Sequence, residues 1–401
     1  MSNPAMLHEL GGRAKTASKQ IAVASSAVKN SALELMAHTL VEKQDDILTA
    51  NRLDIEQATA NGMNRSLLDR LSLTPARISA MADGIRQVAA LGDPVGEIIE
   101  GSLRPNGLRI QKTRVPLGVV GIIYEARPNV TSDAAALCLK SGNAAILRGG
   151  KEALHSNIAI AEALREGLSA AKLPADCVQL IKDTSRQTAA EMMRMRGYID
   201  VLIPRGGTGL IKAVIENSTI PVIETGVGNC HIYVDEAADI DMAKAIVVNA
   251  KASRPSVCNA AETLLVHQSV APSMLPTLVS ALKQAGIALR GCEQTREILG
   301  DPDIIAVTED DYATEFLDYT MAVRVVCSIQ EAIEHISRYG SGHSECIVTD
   351  THSAAEAFTS RVDLHSFPTR RSSDLGNSAW GLKSESPHKS FMPAAPWAYA
   401  S

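Results

Sequence analysis

The chain has 401 residues, too many for a single hydrophobic core, so two or three domains are expected. A hydrophobic content of 45% fits a soluble globular protein, and a net charge of −6 argues against a nucleic-acid or anionic-membrane partner. The seven cysteines form no CxxC pair, so neither a zinc site nor a disulfide framework is indicated and no metal is expected.

Residues 1–20 are polar and lack the apolar stretch of a signal peptide, and no apolar run reaches the length of a membrane span, so a cytoplasmic location is expected. Leu33, Met36, Leu40 and Ile47 recur at helical spacing. Thr74-Pro75 reads as an N-cap with proline at the first helical position, and Ile78, Met81, Ile85 and Val88 continue that helix. Residues 97–115 alternate around Pro105-Asn106-Gly107, which predicts a hairpin. From residue 117 short apolar strands alternate with Ala-rich helices. The strand candidates are 118–124, 144–150, 178–183, 200–207, 221–226, 231–235, 262–267, 304–308, 322–328 and 345–350. Buried strands alternating with helices predict an α/β protein with a largely parallel sheet. Residues 364–401 show neither period and hold both tryptophans, Trp380 and Trp397. On their own they read as a disordered tail.

Three Gly-rich turns follow strand candidates: Arg148-Gly149-Gly150-Lys151, Arg205-Gly206-Gly207-Thr208-Gly209 and Thr225-Gly226-Val227-Gly228-Asn229. Glycines there let a ligand approach the backbone, and a following helix N-terminus attracts phosphate. One such turn is more often a plain connection. Three, two of them led by arginine, point to a phosphate-bearing ligand, although no GxGxxG fingerprint is present. Tyr124-Glu125-Ala126-Arg127-Pro128-Asn129 offers a guanidinium and an amide at a strand end. Either Arg127 or Asn129 can polarise a carbonyl oxygen, and a loop with a capping Asn is the plain alternative. Glu224 is a general base or a partner for a backbone amide. Cys230 and His231 read as packed residues. Cys258 stands between Lys251-Ala-Ser-Arg254 and the apolar run 264–266. Flanking cations favour the thiolate, which is the nucleophilic form, and an enzyme built on it carries an acyl group on sulfur. A buried structural cysteine is the alternative.

The stretches VPLGVVGIIYEARPNVTSDAAALCLKSGNAAILRGGKEALHSN (115–157), IPRGGTGL (203–210), STIPVIETGVGNCHIYVDE (218–236) and NAKASRPSVCNAAETLLV (249–266) resemble the gamma-glutamyl phosphate reductase family of the aldehyde dehydrogenase superfamily. The resemblance covers about residues 7–363. It implies an aldehyde dehydrogenase-like α/β fold of two parallel-sheet domains plus a small oligomerisation β-hairpin. Residues 1–225 would be the cofactor-binding domain, carrying the hairpin 97–115, and 226–363 the catalytic domain.

The resemblance makes Cys258 the nucleophile, with Arg127 and Asn129 both fitting the oxyanion donor. The implied cofactor is NADPH, met by Arg148, Gly149, Gly150, Lys151, Gly206, Gly207, Glu224 and Glu315. Glu315 matches the position that contacts the nicotinamide ribose, and Arg148 to Lys151 lie where the superfamily binds the adenosine ribose and its phosphate. Glu224 falls where hydrolytic members keep a water-activating base. Lys251, Arg254 and Asn259 are the expected substrate contacts. The implied reaction reduces L-glutamyl 5-phosphate to L-glutamate 5-semialdehyde with release of phosphate, a step of proline biosynthesis, through a Cys258 thioester. Homo-oligomers and a functional partnership with glutamate 5-kinase are implied too. Two rivals stand beside this reading: oxidation of a free aldehyde, and a non-catalytic remnant that only binds dinucleotide. The remnant reading arises because the tail departs from the family at Leu364. Residues 376–401 read like the family's Gly-rich C-terminal segment translated in another frame, and LHSFPTRRSSDL (364–375) like translated adapter DNA, so the tail is expected to be aberrant.

Overall fold

Apolar runs alternating with Ala-rich helices build two all-parallel sheets, one in each of two units of the chain, Met1–Thr225 and Gly226–Ser401. The computed structural model describes residues 4–223, 228–362 and 369–370. The expectations for Glu224 and, Thr369–Arg370 apart, for residues 364–401 lie outside the described residues.

The first unit opens with helices Pro4–Ile21, Ser26–Glu42, Gln44–Ala60, Arg65–Leu71 and Pro75–Ala90. Leu33, Met36 and Leu40 line the buried face of the second, while Ile47 is buried on the third; the break at Lys43 separates them. Thr74 caps the last through its hydroxyl, which accepts from the Arg77 amide (3.2 Å), with Pro75 at the first turn. The hairpin pairs β1 (Ile98–Leu103) with β2 (Arg109–Thr113) antiparallel, and Gly107 supplies the positive φ (+86°) of its turn. Every residue of both strands is exposed. The sheet combines β3 (Val119–Tyr124), β4 (Ala144–Arg148), β5 (Val178–Leu180) and β6 (Val201–Arg205) in the order β5-β4-β3-β6. The connections run outward from β3 to β5 and then return to its other side. The direction of the connections therefore switches between β3 and β6, and ligands of such sheets bind past the carboxyl ends at a switch point. Of the expected strand at 221–226, the described residues 221–223 form one bridge, Val222 to Leu202. Pro221 lacks the N–H a ladder needs and keeps the segment at the margin of β6.

The second unit holds β7 (Cys230–Val234), β8 (Ala261–His267), β9 (Ala288–Gly291), β10 (Ile305–Ala306), β11 (Thr320–Val326), β12 (Glu345–Val348) and β13 (Thr369–Arg370). Their order is β10-β9-β11-β8-β7-β12-β13. Alternate residues face opposite sides. Ile232, Val234, Leu264 and Val266 join the core under helices Ile240–Ala252 and Ala271–Gln284. Tyr233, Leu265 and Ile347 join the core under Ile329–Tyr339 and His352–Arg361. Sequence patterning did not anticipate β9, which is short and carries Arg290, nor β13, two residues of the tail that pair with Ile347 and Val348.

Candidate active site

In the first unit the candidate residues stand at the carboxyl ends of strands. Tyr124 and Arg205 are register partners on β3 and β6, which brings Glu125 beside Gly206 and Gly207. The Glu125 carboxylate accepts the Gly207 amide (2.9 Å). Gly206 is a glycine for packing, since a Cβ there would come 2.6 Å from the Glu125 carboxyl carbon. Gly207 and Gly209 are different. A Cβ on Gly207 would meet only Glu125 at 3.9 Å, and one on Gly209 nothing within 4 Å. Their bare backbone is not demanded by the fold.

At the end of β4, Gly149 lies against Asn157, whose Nδ2 is buried without a partner among the described residues; a Cβ would fall 2.1 Å from it. Asn157 Oδ1 accepts from Thr131, which also bonds the Tyr124 hydroxyl (2.7 Å). Arg148 is buried, and its guanidinium donates to the carbonyls of Thr184 (2.6 Å) and Ser185 (3.0 Å). Burial holds its pKa below the usual arginine value, against the nearby carboxylates of Asp183 and Glu152. Gly150 is half-buried and Lys151 exposed. The helix that follows, Leu154–Ala170, has its first amides taken by the buried carboxylate of Asp54, which accepts from the Ser156 amide (2.8 Å) and from the His155 amide and ring. An internal carboxylate thus occupies the position where the sequence pattern places phosphate. Asn129 opens helix Asn129–Lys140 and gives one amide hydrogen to Asp133 (2.9 Å), while Arg127 is half-buried.

In the second unit the candidates stand at the amino ends of strands. Cys258 is half-buried in the turn between helix Ile240–Ala252 and β8. Its carbonyl accepts from the Cys230 thiol (3.3 Å). Gly228 backs onto the same carbonyl so closely that a Cβ would fall 1.4 Å from the oxygen, so only glycine fits there. The Gly228 amide donates to Glu315 (3.0 Å). Asn229 bridges outward, its Nδ2 donating to the carbonyls of Tyr312 and Tyr339.

Lys251 is turned wholly inward. Its Nζ meets Glu262 at 2.5 Å, both side chains without solvent exposure, so it has no surface to offer a substrate. Burial pushes the Glu262 carboxyl up to about 7 against the pull of Lys251, and burial lowers the Lys251 ammonium. Arg254 is exposed and Asn259 half-buried, one on each side of Cys258. The sequence reading assigned Glu262 only to a strand. The signal was present: a lysine in the last helical turn and a glutamate at the next strand's start bracket the cysteine. Glu125 likewise stood unassigned inside a quoted motif.

The aldehyde dehydrogenase family model matches residues 2–295. Parallel α/β sheets with a turn-borne cysteine in the second unit fit that class. A crystal structure of gamma-glutamyl phosphate reductase from Thermotoga maritima superposes with a TM-score of 0.82 at 46% identity, covering 93% of this chain and 90% of that one. The gamma-glutamyl phosphate reductase of Carboxydothermus hydrogenoformans is 56% identical over 354 residues, 88% of this chain and 85% of the relative. That of Clostridium beijerinckii is 54% identical over 353 residues, 88% of this chain and 85% of the relative. The chain belongs to the gamma-glutamyl phosphate reductases, oxidoreductases of the aldehyde dehydrogenase family.

Proposed function

We propose that this chain reduces L-glutamyl 5-phosphate to L-glutamate 5-semialdehyde in the cytoplasm, with NADPH as reductant and Cys258 as nucleophile. The observation that carries the reading is the Cys258 turn: a half-buried thiol on a backbone fixed by Gly228 and Cys230. The Cys258 sulfur attacks the acyl carbon, the C–O bond to phosphate breaks, and phosphate leaves with the bonding pair. NADPH, when bound, supplies the hydride that reduces the resulting thioester. The thiohemiacetal collapses as its oxygen re-forms the carbonyl and the C–S bond returns its electrons to Cys258. Arg127 and Asn129 are the proposed donors to the acyl oxygen, which gathers charge in both steps. Arg254 and Asn259, beside the nucleophile, are the proposed substrate contacts. The acyl phosphate must come from an ATP-dependent carboxylate kinase, the reaction class of glutamate 5-kinase.

The proposed place of the dinucleotide is the first unit: a Cβ on Gly207 would meet only Glu125 and one on Gly209 nothing, so their backbone is open to a ligand, and Lys151 offers an exposed cation. There the first unit would hold the cofactor and the second perform acyl transfer.

The reaction can be run backwards. Oxidation of the semialdehyde with NADP should require inorganic phosphate, and Cys258→Ser should retain less than about a hundredth of the rate while still binding dinucleotide. Turnover with water alone would overturn the assignment. We further propose that the hairpin joins copies of the chain, since Ile98, Leu103, Leu108 and Ile110 are all exposed on it. Sedimentation equilibrium should show Ile110→Lys shifting an oligomer toward monomer; an unchanged mass would place the contact elsewhere.

A further inference from the structure

We propose that Glu262 is a positioning residue, holding the segment that carries Glu315 in register with the turn that carries Cys258. The proposal rests on Cys258 as nucleophile and adds how its surroundings are kept in place. Lys251 lies in the last turn of helix Ile240–Ala252 and Glu262 is the second residue of β8, so their ion pair closes the base of the Cys258 turn. A buried ion pair is weak evidence for stability, because apolar residues of similar volume often serve as well. The second carboxylate oxygen supplies a further reason for its presence.

Glu262 Oε1 accepts the amide of Leu317 (3.2 Å). Leu317 has φ +54°, a left-handed conformation that a branched side chain holds only when its surroundings impose it. Two residues earlier, Glu315 accepts the amide of Gly228, and Gly228 backs onto the Cys258 carbonyl. The contacts therefore close a ring: the Cys258 turn, Glu262, Leu317, Glu315, Gly228 and the Cys258 turn again. Without the Oε1 acceptor, the Leu317 amide gives up this bond and the positive φ loses the support it lends. Glu315 and Gly228 then lose their fixed place beside Cys258.

The test compares two double variants in the full chain, Lys251→Met with Glu262→Gln and Lys251→Met with Glu262→Leu. Both remove the buried charges together, leaving neither unpaired. Glutamine keeps an oxygen acceptor for Leu317 and leucine does not. The readouts are kcat and KM, thermal unfolding, and iodoacetamide labelling of Cys258 relative to the exposed Cys327, resolved by peptide mass spectrometry. The Gln variant should stay within about threefold of the parent in kcat and labelling ratio. The Leu variant should lose about tenfold or more in kcat, with KM for NADPH changed less than about threefold and the labelling ratio displaced. Equal behaviour of all three proteins, or equal loss in both doubles, overturns the proposal. If the Leu variant does not fold, Glu262→Asp, one methylene short of the Leu317 amide, takes its place with the same expectation. A parent without Cys258-dependent turnover would instead sink the functional reading, and the labelling ratio would still test the ring.

Discussion

The two parallel sheets carry their candidate residues at opposite edges and build those edges differently. In the first unit the residues follow β3, β4 and β6, and the edge mixes open glycines and the Tyr124–Thr131–Asn157 hydrogen bonds with the Arg148 guanidinium and two amide-accepting carboxylates, Glu125 and Asp54. In the second unit they precede β7 and β8, and the edge is made of carboxylates. Glu315, Glu345 and Glu262 accept the backbone amides of Gly228, His231 and Leu317. Amides ahead of a strand need acceptors when they are buried, and a carboxylate placed there must itself be paired or neutralised. Lys251 does this for Glu262, and the His231 ring Nδ1 lies 3.0 Å from the Glu345 carboxylate. The first edge leaves the backbone of Gly207 and Gly209 open, whereas the second packs Gly228 against the Cys258 carbonyl.

The sharpest way to break that contrast is to add one methyl group at each edge. Gly228→Ala would force a carbon into the Cys258 carbonyl, where neither side is a flexible side chain. We expect it to destabilise the protein by about 3 kcal/mol or more and to abolish turnover. Gly207→Ala meets open space at an ordinary backbone conformation (φ −70°). It should change stability by about 1 kcal/mol or less and act chiefly on KM for the cofactor. Calorimetry and steady-state kinetics separate the two. A Gly207→Ala protein with parental cofactor KM would show that nothing approaches the bare backbone there.

The same contrast explains what was legible in the sequence. Glycines after a strand are conspicuous, and the strands of the first sheet were read within a few residues. Gly228 was also quoted, but as the tail of a strand-end turn, whereas the fold uses it as the lead-in to β7. Glu262 was hidden inside ETLLVH, whose apolar run marks a strand and says nothing of the glutamate before it. Its partner Lys251 is eleven positions away across a turn, a distance that no helical or strand period connects. Arg148 was read as a ligand contact because it leads a Gly-rich turn. Only the fold shows that the loop at Thr184 and Ser185 claims its guanidinium.

A packed edge scaffolded by titratable groups should be more sensitive to acid. His335 on helix Ile329–Tyr339 is buried against His231, Tyr312 and Tyr339 and accepts from Arg324. Burial first, then the charges of His231, Arg324 and Arg338, lower its pKa from 6.5 to about 3. The unfolded chain therefore binds a proton at this site that the folded chain refuses between those values. Its contribution is fully present above the unfolded pKa and is lost as pH falls, at about 1.4 kcal/mol per pH unit. Melting temperature measured between pH 7 and 4 should fall less steeply in His335→Gln than in the parent, whatever the effect of the substitution at pH 7. Parallel curves would remove His335 from the acid response.

The smallest effect tests the open edge through its cations. Lys151 is exposed, whereas Arg148 is spent on two carbonyls. If the cofactor's 2′-phosphate is read here, Lys151→Ala should raise KM for NADPH by about tenfold and leave KM for NADH within about twofold, because only the phosphate loses its charged partner. Arg148→Ala removes both donations to Thr184 and Ser185 and should lower stability by about 2 kcal/mol. Its kinetic effect should fall equally on both cofactors, since the loop it holds does not distinguish them. Comparing the two KM ratios decides which residue meets the phosphate. A selective loss of NADPH in Arg148→Ala, with none in Lys151→Ala, would mean that the guanidinium leaves its carbonyls when cofactor binds, and that this edge also trades internal contacts for ligand contacts.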